Sequence, residues 1–309
     1  LLTGLGELLV TPLLRVMSTP ESILAPARLY LRIYLLGSVF QLLYNFEAAI
    51  LRANGDTRRP LVCLVISGVV NVVLNLFFVV VCGWEVAGVA IATVLAGGVS
   101  AALLLRCLLR ERFAVRLTLD NFRFDREAAE EILRIGFPAA VQGVLFNTAN
   151  IIIQSGINVF GDDAISGASI GINAEAFVYY LMGGFAQASV TFNGRGRGAG
   201  QLSRCWAATR TCLILGELVT ELFAALLVLF RHGFAGLFTP NEAVAAYAAL
   251  RMRSVLLFEI CNLTIEVVSG ALRGLGYSTI PTVLSAIFVC GVRVVWVLLI
   301  FPHLSQRSR

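Results

Sequence analysis

Leu51-Arg52-Ala53-Asn54-Gly55-Asp56-Thr57-Arg58-Arg59-Pro60 is a short polar, basic stretch between two long apolar runs. A counterpart stands late in the chain, Leu272-Arg273-Gly274-Leu275-Gly276-Tyr277-Ser278-Thr279-Ile280-Pro281. The offset is constant, since 272 − 51 and 281 − 60 both give 221. The lead-ins also correspond, Thr19-Pro20-Glu21 against Thr239-Pro240-Asn241-Glu242, one residue out of step. Helix, Arg-Gly turn, Pro and helix, repeated at this distance, describe a chain built from two equivalent halves with a shared turn geometry.

Composition places those halves in a bilayer. The apolar fraction is 58% and the charged fraction 14%, with a mean hydropathy of +0.84, whereas soluble domains carry about 25% charge and roughly 45–50% apolar residues. The apolar residues come in runs of roughly 20, the length that crosses a membrane as a helix. The alternating short strands of a β-barrel are absent. The fold class expected is therefore all-α, a polytopic helical membrane protein with two pseudo-symmetric lobes. Internal duplication of this kind is common in membrane transporters. All 24 basic residues are Arg, the net charge is +5, and most Arg residues fall in short loops, so nucleic-acid binding is not expected. Seven Cys without a C-x-x-C pair and only two His, His232 and His303, support neither a disulfide framework nor a zinc site. The chain begins Leu-Leu without a signal pattern, which reads as a truncated start.

Taken in order, residues 1–17 look like the end of an earlier span, and Ser18-Thr19-Pro20-Glu21 reads as a helix start. Eight full spans are expected, at about 27–50, 60–81, 86–109, 135–160, 164–192, 207–230, 244–270 and 280–301. Gly88, Ala92 and Ala96 give one helix a small face for close approach. Residues 110–135 are the long polar stretch, read as an amphipathic linker helix. Asn193-Gly194-Arg195-Gly196-Arg197-Gly198-Ala199-Gly200 reads as a loop. This divides the chain into a first lobe (1–110), a linker (111–134) and a second lobe (135–309). Loops 52–60, 106–134, 195–210 and 273 carry Arg, and the intervening 82–87 and 161–165 do not. The positive-inside rule puts the first set in the cytoplasm, with Arg15, Arg28 and Arg231 running against the pattern.

At this point the residues resemble one family, the MATE (multidrug and toxic compound extrusion) transporters. The resemblance rests on Tyr30-Leu31-Arg32-Ile33, Ala49-Ile50-Leu51-Arg52-Ala53-Asn54-Gly55-Asp56-Thr57, Asn71-Val72-Val73-Leu74-Asn75 and Val86-Ala87-Gly88-Val89-Ala90-Ile91-Ala92-Thr93. It continues through Gly136-Phe137-Pro138-Ala139, Gly198-Ala199-Gly200 and Leu272-Arg273-Gly274. It implies spans four to eleven of a twelve-span, two-lobe protein, with most of spans one to three and span twelve outside the chain. It further implies a monomeric, multi-pass protein of the cell membrane. That protein would export cationic or amphipathic small molecules in exchange for H⁺ or Na⁺ by alternating access, without a cofactor and without enzymatic activity. Asn71, Asn75 and Thr93 look like the family's first-lobe cation positions, a candidate Na⁺ site, with Asn75 standing where the family has an acid. Arg195-Gly196 departs from the family's usual Gln-Asn.

Ionisable groups inside a bilayer are costly and mark function. Glu259, Asn262 and Glu266 are i, i+3 and i+7, one face of the penultimate span. Asn147, Asn150 and Gln154 make a similar polar stripe, and Glu175 and Glu47 are further intramembrane acids. The alternative for Glu259 and Glu266 is structural pairing with Arg251, Arg253 or Arg273, for Glu47 pairing with Arg52, and for the amides interhelical hydrogen bonding. Phe40, Tyr44, Phe146, Tyr179 and Tyr180 are either stacking surfaces for a flat cation or packing. Arg32, Arg251, Arg253 and Arg293 keep a second reading open, a lipid-linked oligosaccharide flippase of related two-lobe architecture.

Overall fold

The computed structural model describes residues 21–111, 125–157 and 160–297, with isolated positions before residue 15. The span remnant at 1–17, the helix start at 18–20, most of the linker and the polar tail fall largely outside the described residues. Among the described residues every regular element is a helix. The chain forms two compact units, Leu1–Arg123 and Phe124–Arg309.

The first unit contains α1 (Glu21–Ala53), α2 (Arg58–Val81) and α3 (Glu85–Leu109). Tyr44, Ala48 and Leu51 recur at helical spacing on α1 and meet Ala101, Leu104 and Leu108 on α3, with Cys63 of α2 closing the cluster. Small residues let the backbones approach. A Cβ at Gly37 would lie 2.2 Å from a Val94 methyl, and one at Gly88 would lie 2.9 Å from the Phe78 Cβ. The small face anticipated on α3 is buried, with Ala92 at 0% and Ala96 at 4% exposure. Ser67 Oγ donates to the Ala96 carbonyl at 2.6 Å, and Tyr44 Oη to the Pro60 carbonyl at 3.1 Å. By contrast, Leu61, Val65, Val69, Val72 and Leu76 of α2 stay exposed. An apolar surface that continuous suits lipid rather than water.

The opening stretch is the turn from α1 to α2. Asp56 N–H donates to the Leu51 carbonyl and Gly55 N–H to that of Arg52, both at 2.9 Å. Gly55 has φ 93°, the left-handed conformation that only Gly adopts cheaply. The later copy repeats this motif position for position. Tyr277 N–H donates to Leu272 and Gly276 N–H to Arg273, at 2.8 and 2.9 Å, with Gly276 at φ 84°. The copies differ one residue on. Asp56 Oδ1 accepts from the Arg58 and Arg59 amides and caps α2, while Ser278 Oγ donates to the Ile135 carbonyl instead.

The second unit comprises α4 (Arg126–Ile157), α5 (Asp162–Gly198), α6 (Leu202–Leu229), the short α7 (Arg231–Gly236), α8 (Glu242–Leu256), α9 (Glu259–Gly274) and α10 (Thr279–Val295). Helix α5 is its axis and packs on α6, α8 and α9. Its buried residues Ala164, Gly167, Gly171, Ala174, Val178 and Met182 follow each other at three or four, so one face meets the core of Leu256, Leu263 and Val267. Two Gly-x-x-x-Gly pairs set the closest contacts. A Cβ at Gly167 would lie 2.7 Å from the Val244 carbonyl, and one at Gly171 would lie 2.7 Å from Arg251 Cδ. Across the other contact, a Cβ at Gly270 would lie 2.7 Å from the Ala186 carbonyl, and one at Gly274 would lie 2.6 Å from that of Val190.

Three sequence expectations change. Residues 193–200 are not a loop, for α5 continues to Gly198. Asn193 is buried, its Nδ2 donating to the Ser189 carbonyl at 2.8 Å and to Thr209 Oγ1 at 3.0 Å. Arg197 donates from Nη1 to the Leu275 carbonyl and so braces the second copy of the repeated turn. Residues 126–134 are wound into the same helix as the span after them, Pro138 included. The penultimate span is broken into α8 and α9 at a bend of 49°. No Gly or Pro stands at the break, so tertiary packing makes it. Among the described residues five helices are long and apolar enough to cross a membrane, or six with α8 and α9 counted as one span. Helix α5 is 37 residues long and carries Asn173, Glu175 and Gln187; one face is buried by its neighbours, while Phe177 and Phe192 stay exposed.

Two glycines of this unit should respond oppositely to alanine. Gly274→Ala should destabilise by about 1–3 kcal/mol, the usual effect of overpacking. Gly183→Ala, with nothing within 4 Å of its Cβ, should be neutral or stabilising by up to about 1 kcal/mol through helix propensity. Thermal unfolding of the two variants in the same detergent checks both.

Candidate functional site

The second unit encloses a cavity of about 750 Å³. Helix α4 lines it with Gln142, Phe146, Asn147, Asn150 and Gln154. Gln142, Phe146 and Asn150 are spaced by four, and Asn147, Asn150 and Gln154 by three and four, so one broad face of α4 is turned inward. Helix α9 contributes Glu259, Asn262, Glu266 and Arg273, again one face, while Leu263 and Val267 on its other side enter the core. Glu175, Tyr179 and Tyr180 come from α5, Arg251 from α8 and Arg293 from α10.

The cavity walls therefore carry three carboxylates and three guanidiniums. Glu175 and Arg251 form a two-pronged pair, with Nε to Oε1 at 2.6 Å and Nη2 to Oε2 at 2.9 Å. Both side chains are about one-fifth exposed, so the pair is partly desolvated and its geometry is the strong, bidentate kind. The other two arginines meet neutral acceptors. Arg273 Nη2 donates to Gln142 Oε1 at 2.7 Å, and Gln142 Nε2 donates in turn to Ser285 Oγ at 2.9 Å. Arg293 Nη1 donates to Asn150 Oδ1 at 3.2 Å. Glu259, 5% exposed, accepts from Asn262 Nδ2 at 3.0 Å. The ion pairs among the described residues involve neither Glu259 nor Glu266.

All seven second-lobe candidates of the sequence reading, Glu175, Asn147, Asn150, Gln154, Glu259, Asn262 and Glu266, thus stand on one cavity wall or another. The anticipated pairing of Glu259 or Glu266 with Arg251 is not what forms, since Arg251 goes to Glu175 across two helices. Gln142, outside the Asn147–Asn150–Gln154 stripe, lines the same cavity, and its spacing of four from Phe146 and eight from Asn150 puts it on that face. Phe146, Tyr179 and Tyr180 line the cavity, whereas Tyr44 packs in the first unit. Glu217 serves a helix contact, accepting from Thr264 Oγ1 at 2.8 Å.

The first-lobe candidates also gather, within their own unit. Asn75 Nδ2 donates to Asn71 Oδ1 at 2.9 Å, Asn71 Nδ2 to Thr93 Oγ1 at 3.5 Å, and Thr93 Oγ1 to the Val89 carbonyl at 2.9 Å. The trio offers neutral oxygens only, and Asn75 Oδ1 is buried without a partner. No carboxylate is hydrogen-bonded to it among the described residues. These hydrogen bonds link α2 to α3, through Asn71 and Thr93. Glu47 is 3% exposed, and neither carboxyl oxygen has a partner among the described residues. The pairing with Arg52 considered for it does not form.

An all-helical bundle with lipid-suited faces and a charged internal cavity defines the class, a helical membrane transporter. A family model described as MatE matches residues 1–77 and 138–298, and the chain belongs to the MatE family, a family of transporters and not of enzymes. It is a multi-pass plasma-membrane protein. Over 274 residues it is 28% identical to the probable multidrug resistance protein NorM of Thermotoga maritima, covering 86% of this chain and 58% of that one. Over 302 residues it is 26% identical to the probable multidrug resistance protein YoeA of Bacillus subtilis, covering 95% of this chain and 65% of that one. A crystal structure of MATE in complex with MaD3S superposes with a TM-score of 0.86 at 22% identity, covering 96% of this chain and 68% of its own. At that identity the likeness concerns the fold. The chain thus spans less than two thirds of the length of these two curated relatives.

The Glu175–Arg251 pair gives a direct test of the cavity's electrostatics. Arg251→Leu leaves a partly buried carboxylate unpaired and should cost on the order of 3 kcal/mol, whereas Glu175→Leu with Arg251→Leu should recover most of it. Thermal unfolding of the single and double variants provides the comparison.

Proposed function

We propose that this chain is the greater part of a secondary antiporter that exports cationic or amphipathic drugs in exchange for H⁺ or Na⁺ by alternating access. The relatives' printed names support multidrug export. The observation that carries the proposal is the cavity wall on which Glu259, Asn262 and Glu266 stand beside Phe146, Tyr179 and Tyr180. Aromatic faces accept flat apolar or cationic molecules. The carboxylates accept either the coupling ion or a cationic substrate, and one occupant excludes the other. That mutual exclusion is what exchange requires. A volume near 750 Å³ lies within the range of sites for drug-sized molecules.

Glu266 is the coupling residue proposed first, because no ion pair occupies it among the described residues. Glu259 and Glu175 tune it, the latter through Arg251. Asn147, Asn150 and Gln154 form the substrate-facing wall. In the first lobe, Glu47 is the stronger candidate for a proton, and Asn71, Asn75 and Thr93 the weaker one for Na⁺. The lobes (1–110 and 135–309) rock about the 111–134 segment in a monomer. A second reading, the flippase for lipid-linked oligosaccharides, draws on Arg251, Arg273 and Arg293, which line the same cavity and suit a pyrophosphate.

Ethidium accumulation in an efflux-deficient strain expressing a full-length version separates the two. Gradient-driven export that Glu266→Gln and Glu259→Gln return to the level of cells without the transporter supports the antiporter. Accumulation indifferent to the gradient and to Glu266→Gln sinks it. Loss of function confined to Arg273→Gln and Arg293→Gln favours the anionic cargo.

A further inference from the structure

A second cavity, about 580 Å³, lies in the first unit between the start of α2 and the end of α3, and none of its residues has a part in the proposed transport site. Helix spacing explains its walls. Arg59, Cys63 and Ile66 are i, i+4 and i+7 on α2, while Leu103, Arg106, Cys107 and Arg110 share the face at the end of α3. Arg59 is already committed, with Nε 2.6 Å from Asp56 Oδ2 and Nη1 2.5 Å from Glu111 Oε2. Arg106 and Arg110 have no acid partner among the described residues. Glu111 also lines the cavity and is held by Arg59, so three guanidiniums and one carboxylate border it, with Arg106 and Arg110 one helical turn apart and in no ion pair among the described residues.

The wall between them and the bundle is less polar. Ile66, Leu103 and Cys63 line it, and beyond Ile66 the exposed face of α2 continues apolar through Val69, Val72 and Val73. A cationic mouth opening onto an apolar helix face matches the two ends of a phospholipid. The guanidinium is the side chain whose planar fork best fits a phosphate. By the positive-inside rule this Arg-bearing end is the cytoplasmic one, where anionic headgroups attract juxtamembrane Arg.

We propose that Arg106 and Arg110 bind the phosphate of an anionic phospholipid of the cytoplasmic leaflet, its chains lying along α2. Free phosphate shares the recognition chemistry, so the test separates the sources. The full chain is solubilised with an equimolar mixture of phosphatidylglycerol and phosphatidylcholine, and retained lipid is counted by native mass spectrometry. Wild type should retain phosphatidylglycerol in preference, and Arg106→Gln/Arg110→Gln should lose that preference roughly tenfold or more. Arg58→Gln removes an exposed charge at the same end that does not line the cavity, and it should retain the lipid. An equal loss in Arg58→Gln would assign the effect to diffuse surface charge and overturn the proposal, as would the absence of any headgroup preference. In lipid-free detergent, stabilisation by inorganic phosphate matching that by phosphatidylglycerol would assign the site to a soluble anion and overturn the lipid. Circular dichroism checks that helix content survives. If the double variant loses it, the two single variants, each expected to show part of the loss, take its place.

Discussion

The second unit depends on how closely α5 can approach its neighbours. Gly167 and Gly171 admit α8, and Gly270 and Gly274 bring α9 against α5, at separations where a Cβ would lie within 2.7 Å of a neighbouring atom in each case. In lipid, where burial of apolar area gives helices little reason to associate, such backbone contact and its van der Waals gain drive association together with interhelical hydrogen bonds. It also settles orientation. Once the Gly270–Gly274 side of α9 faces α5 and Leu263 and Val267 enter the core, Glu259, Asn262 and Glu266 line the cavity.

The cavity's polarity follows from that arrangement and from charge compensation. A lone ion inside a bilayer is costly, and four helices together keep this cavity balanced at three acids and three arginines. The compensation is unequal. Glu175 and Arg251 neutralise each other at short range. Arg273 and Arg293 are held by amide oxygens, and Glu259 by an amide nitrogen. The cavity thus combines a fixed pair, which holds α5 to α8, with charges whose partners are exchangeable dipoles.

Much of the fold was legible in the linear chain. Apolar runs of bilayer length named the class, and the 221-residue offset identified two copies of one turn, which share hydrogen bonds and a left-handed glycine in the structure. The stripes on α4 and α9 were legible for the same reason, since residues three and four apart share a helix face whatever surrounds the helix. What periodicity cannot say is which stripe meets which. The Gly-rich 193–200 stretch looked like a loop because Gly and Asn favour turns in isolation, yet Asn193 finds Ser189 and Thr209 inside the bundle and the helix continues.

The turn from Leu51 to Pro60 and its later copy show the division most sharply. Sequence alone determined their geometry, because a left-handed glycine after a helix closes the same two hydrogen bonds wherever it occurs. Their surroundings were decided only in three dimensions. Asp56 caps α2, whereas Ser278 reaches Ile135 and Arg197 braces Leu275. The pairing of Glu175 with Arg251, 76 residues apart, belongs to the same category, as does the break before Glu259 where no residue type breaks helices. Local backbone bonding is written in neighbouring residues, while partners for charges depend on which helices the small residues allow to touch.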